Sequence, residues 1–481
     1  MSGLCSYMRD IVGRRQRRYS AIIAALTLIV GLGIGAASGQ EVSPDERTRL
    51  QAQKEELFQR MLRNPGDLDA TFAYADVSAK LGDNEAAVSA LERMLLFNPD
   101  LPRVQLELGA LYFRMGSFEI ARTYFEKALA ANPPTEVRAR IDRYLAEVSK
   151  QSAPQLFTGF LFFGAQYQSD ANIGPGSPLI HSPIGDVLLN SQFVKQADGN
   201  AFLTGSALYS YDLGTQSRDT IEVTGTGFLN HYFHIGRLDL ALGELTAGPR
   251  FNFTEPVTGV TSASLKPYLI VNEVGLGGNQ YFNTYGVGIE APAVAMLDFR
   301  VKPVFEFRQK NFSNAADRPL SRGLQGSDKL ASLLIDKPIT ENSNLTLEFD
   351  YLRQDTRLNY YANDSYAFSG AYRIRYDDPI GFFKLPWETT AFLSRSYGEY
   401  DGADPCCVTG TGLAATPAGP VAVNTFSQRH DKRWRFGLTQ SFQVLDNLAI
   451  IVQAQRDVVS SNLSLYHYTS NTVLAGPQIR F

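Results

Sequence analysis

Cysteine is almost absent, with 3 in 481 residues: Cys5 near the start, and Cys406 and Cys407 adjacent in a stretch rich in Gly, Pro and Ala. Neighbouring cysteines could close only a strained ring, and no His lies beside them to complete a metal site, so neither disulfides nor zinc can organise this chain. Charged residues make up only 20%, and 45 Lys plus Arg stand against 49 Asp plus Glu, for a net charge of −4 and a pI near 5.9. That balance offers no global attraction to nucleic acid, and no nucleic-acid partner is expected. Tryptophan is also rare, at 2, whereas Gly reaches 40, Phe 30 and Tyr 23. Such a composition favours strands and turns over a purely helical fold, and the length calls for more than one domain.

The scarcity of histidine allows the chemistry to be surveyed completely, because only His181, His231, His234, His430 and His467 exist. His231 and His234 are three apart at the end of an expected strand, where an odd separation turns side chains to opposite faces. A barrel phospholipase would need Ser and His together on an outer face, and none of the five falls mid-strand. Neither a P-loop nor a Rossmann fingerprint in a βαβ setting is present. The chain reads as a non-enzyme with no cofactor and no metal.

One long apolar run does occur, at 21–37, preceded by Arg14, Arg15, Arg17 and Arg18 and followed by the small residues Ala37, Ser38 and Gly39. This is the layout of a secretory signal peptide over 1–39, with cleavage expected before Gln40.

Beyond it, Asn-Pro recurs at Asn64-Pro65, Asn98-Pro99 and Asn132-Pro133, a 34-residue spacing shared by Gly82 and Gly116 and by Ala87 and Ala121. That period is the tetratricopeptide repeat, a pair of helices that stacks on the next pair. The spacing predicts a helical repeat domain over 40–152, with a leading helix from 43 to 63 and a closing one from 135 to 150. Its concave face would present Phe72, Asp76 and Lys80 from the first unit and Arg103, Leu106, Phe113 and Arg114 from the second. These are the candidate client-binding groove, though a solvated face would look the same.

From 153 to 481 helical periodicity gives way to alternation. Tyr366, Phe368, Gly370, Tyr372, Ile374 and Tyr376 alternate with Ala367, Ser369, Ala371, Arg373 and Arg375. The same pattern predicts about fourteen antiparallel strands, an even number. Long connections (169–200, 313–326, 356–364, 399–430, 460–470) interleave with short ones (214–218, 295–298, 340–342 and residue 446). Apolar-out and polar-in alternation with long loops at one end is the pattern of a transmembrane β-barrel, whose closed sheet pairs every backbone group inside a lipid bilayer. Arg300, Lys302, Glu306, Arg308, Glu348, Asp350, Arg373 and Arg375 would face the lumen, as pathway groups or as cross-strand ion pairs. The chain stops at Phe481, with Gly476 and Ile479 before it, an ending that resembles the signal read by the outer-membrane barrel assembly machinery. The expected fold is thus α plus β: a short α-helical repeat array followed by an antiparallel barrel of about 14 strands.

This layout resembles the surface lipoprotein assembly modulator family over essentially the whole chain after residue 39. Residues 161–174 (LFFGAQYQSDANIG) look like that family's first barrel strand, with Asp170 and Asn172 in matching places, and 266–270 (KPYLI) and 281–288 (YFNTYGVG) look like its central strands. The resemblance implies a protein of the outer membrane with a periplasmic N-terminal domain, one that delivers a lipoprotein or secreted protein client to the cell surface. Two alternatives stay open: a polysaccharide export porin with repeats, or an anchor that docks periplasmic partners and transports nothing.

Overall fold

A computed structural model describes residues 44–151, 154–180, 186–253, 260–295, 298–316, 318–381, 385–416 and 419–481; the expected signal peptide lies outside these. The chain divides into two compact units, with the boundary between Pro154 and Gln155.

The first unit is six helices: α1 (Pro44–Arg63), α2 (Leu68–Lys80), α3 (Asn84–Phe97), α4 (Pro102–Arg114), α5 (Phe118–Ala130) and α6 (Thr135–Gln151). Asp67 and Asp83 cap α2 and α3 by accepting the Ala70 and Ala86 N–H, at 2.9 and 3.1 Å, and Pro102 opens α4 without losing a helical bond. Gly82 and Gly116, the related glycines of the two units, both follow a helix end with positive φ (81° and 75°). Ala75, Ala87, Leu91 and Leu108 form one core; Ala121, Phe125, Ile141 and Val148 form the next. Gly109 is required at their crossing, since a Cβ there would lie 2.6 Å from the Phe125 ring.

The second unit is a closed barrel of fourteen strands. They are β1 (Gln155–Gln168), β2 (Asp198–Asp212), β3 (Thr220–Tyr232), β4 (Leu240–Phe253), β5 (Val260–Leu276), β6 (Asn279–Glu290) and β7 (Arg300–Phe312). The second half is β8 (Gly326–Thr340), β9 (Ser343–Thr356), β10 (Asn363–Tyr376), β11 (Trp387–Thr416), β12 (Gly419–Leu445), β13 (Leu448–Ser461) and β14 (Tyr468–Arg480). Each strand is antiparallel to the next, and β14 returns to β1 with Phe160 opposite Arg480 and Gln168 opposite Thr472, leaving no free edge. An extra short strand, Ala293–Ala295, pairs with both β5 and β7.

The alternation divides as expected. Leu161, Phe163, Leu203, Leu229, Phe305 and Phe368 are exposed on the outside, whereas Glu222, Lys266, Lys310 and Asp457 are buried on the inside. No helix among the described residues is long and apolar enough to cross a membrane, so any crossing is made by strands.

Two features depart from the sequence reading. Residues 399–430 are not a loop: β11 and β12 run on, paired as a hairpin well past the barrel to Thr416 opposite Gly419, with register shifts near Ala403 and Val408. The interior is also not uniformly polar. Phe160, Phe162, Phe202 and Ile451 form a buried apolar cluster on the wall where β14 meets β1. At the end of the barrel away from Phe481, Leu324 of the connection 313–325 packs against inward-facing Leu242, Val274 and Phe312. Leu189 packs there with Leu463, Leu465 and Tyr466 from another connection, so the loops fold onto one another instead of fanning into solvent.

Candidate functional site

The groove residues fall into two groups. Phe72 on α2 lies under the Arg103 guanidinium of α4, 4.7 Å from ring centre to cation, which ties the inner helices of successive units. Asp76 and Lys80, both exposed, form an i,i+4 ion pair at 2.7 Å, and Arg114 is exposed at the end of α4. Asp76, Lys80, Arg103 and Arg114 share an accessible face, bordered by Phe72, which is half-buried against the first core. Leu106 does not: it is buried at 6% exposure in the core with Phe125, Ile141 and Val148, because α6 covers that side of α4. Phe113 is half-buried and meets Phe118 and Tyr144 edge-on at 5.5 and 5.8 Å. Both are corrected from groove contacts to packing residues.

Sequence reasoning missed a polar ledge on the repeats. Tyr112 and Tyr124 stack at 5.6 Å, and both hydroxyls donate to Glu92, at 2.6 and 3.3 Å. Burial and the Glu92 carboxylate push both hydroxyls above the ordinary tyrosine range. Their recurrence at Tyr112 and Tyr124, flanking Gly116, was the available signal.

A second ionic contact links α1 to the start of α3. Lys54 Nζ donates to Asp83 at 2.5 Å; that bond and the Ala86 N–H hold the Asp83 carboxyl below its usual range and raise the Lys54 ammonium. A depressed carboxylate stabilises the fold above its unfolded pKa and loses that contribution as pH falls through its folded value. A raised lysine contributes below its unfolded pKa and loses its share as pH rises through the folded one. The helical signal should therefore melt at lower temperature as pH is taken from about 5 to about 3, carboxylates titrating near 4. Asp83→Asn should flatten that slope, and an unchanged slope would remove Asp83 from the account.

All eight predicted lumen residues are on the inward face. Arg308 is held between Glu244 (2.6 Å) and Glu306 (2.8 Å), and Glu306 also accepts the Tyr268 hydroxyl at 2.8 Å. Arg375 reaches Glu388 at 3.5 Å, and Arg300 lies 3.9 Å from Asp336. Arg373 stands opposite Asn344 and Thr390. Lys302 and Glu348 both face Leu334 in register, and Asp350 faces Ser332. The sequence did not single out the densest network. Arg250 bonds Glu222 (2.7 Å) and Glu290 (2.5 Å), and Lys266 joins Glu222 at 2.9 Å. On the opposite wall Arg433 pairs with Asp457, and Arg429 with Asp431 at 2.6 Å. Parity within each strand could have found these acids and bases, except Arg429, which falls in the stretch 399–430 that reads as a connection.

His231 and His234 meet different carboxylates, Asp239 at 2.6 Å and Asp198 at 2.9 Å, and so do not converge. Asp170 and Asn172 build the connection after β1. Asp170 accepts the Gly174 N–H, while Asn172 bonds the Gln192 and Val194 carbonyls and the Gln196 N–H. At the seam, Phe481 exchanges backbone bonds with Gly159 at 2.8 and 3.0 Å and lies against Phe157, and Ile479 faces outward opposite Leu161. Gly476 is needed for closure, because a Cβ there would come 1.9 Å from the Phe163 carbonyl.

The fold and its two faces define a transmembrane β-barrel of the outer-membrane type that carries a tetratricopeptide-repeat domain. Residues 102–135 match the tetratricopeptide repeat family. None of the curated protein sequences matches the chain. Among solved structures, the MamA protein is similar at 17% identity over 21% of this chain and 63% of its own length, with a TM-score of 0.18. PcrH from Pseudomonas aeruginosa is similar at 18% identity over 24% of this chain and 99% of its own (TM-score 0.18). The Yersinia enterocolitica type III secretion translocator chaperone SycD is similar at 16% over 25% and 97% (TM-score 0.19). The chain thus spans less than two thirds of MamA.

Proposed function

We propose that this protein is an outer-membrane translocator or assembly factor that delivers a lipoprotein or secreted protein client to the cell surface, its repeat domain receiving the client in the periplasm. The observation that carries this reading is one chain joining a helical-repeat surface, with Asp76, Lys80, Arg103 and Arg114 exposed on it, to a barrel whose inner wall is lined by ion pairs. Repeat arrays bind extended or partly folded chains, and a charged inner wall supports a wet passage without chemistry. The protein acts without an enzymatic step. Residues 161–174, which resemble the first barrel strand of the surface lipoprotein assembly modulator family, support a protein cargo over a polysaccharide or a purely anchoring role.

Deletion of the gene should abolish surface labelling of the client and leave surface glycan intact. Loss of glycan with normal client display would favour polysaccharide export, and loss of neither would favour the anchor. The orientation has its own test. An epitope inserted between Thr416 of β11 and Gly419 of β12 should be reached by antibody on intact cells, and one at 341–342 should not. The reverse pattern would invert the strand parity.

A further inference from the structure

On the outside of β8–β13, toward the end of the barrel away from Phe481, cations occur in two states. Arg353 is neutralised by Asp355, Asp364 and Asp401, at 2.9, 3.0 and 2.5 Å, and Lys329 by Asp355 at 3.0 Å. Arg395, Lys432 and Arg456 have no carboxylate within 4.0 Å among the described residues. All three share the outward parity of Leu393, Tyr397, Trp434 and Phe436, each of which is exposed.

The register gathers them around one indole. Arg395 stands opposite Trp434, and Lys432, two residues from Trp434 on the same face, stands opposite Tyr397. Trp434 in turn faces Val458, next on its strand to outward-facing Arg456, which is itself opposite Phe436. The Arg395 guanidinium lies 4.2 Å from the Trp434 ring centre and 4.8 Å from that of Tyr397, and its Nε is buried without a hydrogen-bond partner. Glu399, the outward carboxylate next along β11, faces His430. Toward Phe481 the same surface carries the exposed apolar side chains Leu393, Leu438 and Phe368.

An unpaired cation on a lipid-facing wall is tolerated near the interface and costly at the midplane, and Trp and Tyr mark the interfacial level. Three such cations, two of them exposed and one oriented by flanking rings, form a surface complementary to an anionic headgroup. We propose that Arg395, Lys432 and Arg456 bind the phosphates of a phosphorylated glycolipid in the outer leaflet, with Trp434 and Phe436 against its acyl chains. The assignment of leaflet rests on the outer-membrane reading above, in which this end of the barrel is external.

The test uses the full chain, purified in detergent and shown to be folded by its heat-modifiable migration, with bound lipid counted by native mass spectrometry. Bisphosphorylated lipid A should be retained by the wild type, and Arg395→Gln/Lys432→Gln/Arg456→Gln should weaken retention about tenfold while migrating identically. Lipid A stripped of its phosphates should bind both proteins equally weakly. Equal retention of the bisphosphorylated lipid by both proteins would overturn the site, and equal retention of phosphatidylglycerol by the wild type would overturn its assignment to the glycolipid. Fractionation of the protein away from the outer membrane would instead remove the leaflet assignment and leave the binding result standing, so the two failures are distinct.

Discussion

Deleting Phe481, or replacing Ile479 and Phe481 together by aspartate, is expected to leave about tenfold less heat-modifiable barrel in the outer membrane at unchanged synthesis, since charge on the lipid face and lost seam pairing both oppose insertion. The loss follows from the geometry of closure. Phe481 accepts the Gly159 N–H at 2.8 Å and the Thr158 hydroxyl at 3.0 Å, and donates to the Gly159 carbonyl at 3.0 Å. Its ring lies 5.3 Å from that of Phe157. The seam is already interrupted, because Pro477 has no N–H to donate and the pairing between β1 and β14 skips from Phe162–Gln478 to Ala165–Ala475. The last residue therefore holds one end of a weakened joint. Phe481→Tyr should assemble normally. Normal assembly of the aspartate variant would show that the terminal strand carries no assembly information.

Arg308→Met is expected to be the most damaging single change inside the barrel. Arg308 is the shared partner of Glu244 and Glu306, both buried or nearly so, and removing it leaves two carboxylates facing each other at a cost of about 3–5 kcal/mol. The folded band should convert to the unfolded one at a markedly lower temperature on unboiled gels. Adding Glu244→Gln and Glu306→Gln should restore most of the loss, because amides pair without net charge. If Arg308→Met alone converts at the wild-type temperature, the network is a solvated set of charges and not a structural element.

The repeat domain was legible because its information is local. A 34-residue period fixes two glycine helix ends and three Asn-Pro stops, and the observed α1 and α6 begin and end within a residue or two of the periodic segments. Strand parity was equally local, which is why every predicted lumen residue is inward. What lay beyond the sequence depended on which elements touch. Leu106 follows Arg103 on α4 by less than one turn, yet α6 covers one and leaves the other free. The Glu222–Arg250–Glu290 contact joins β3, β4 and β6, and only the register brings those side chains together. The long hairpin is not legible because Gly and Pro residues between 402 and 420 look like a loop, and two strands paired only with each other beyond the barrel need no apolar face, so no alternation marks them.

The correction at Leu106 and Phe113 changes how the central claim is best tested. Altering those two residues would unfold the second repeat and imitate loss of function. Lys80→Glu, Arg103→Glu and Arg114→Glu together change only exposed side chains of α2 and α4 and leave the half-buried Phe72 in place. The decisive measurement is surface labelling of the client in cells carrying equal amounts of folded wild-type or triple-variant protein. The account predicts a normally migrating barrel with strongly reduced client display, and undiminished display in the triple variant would contradict it.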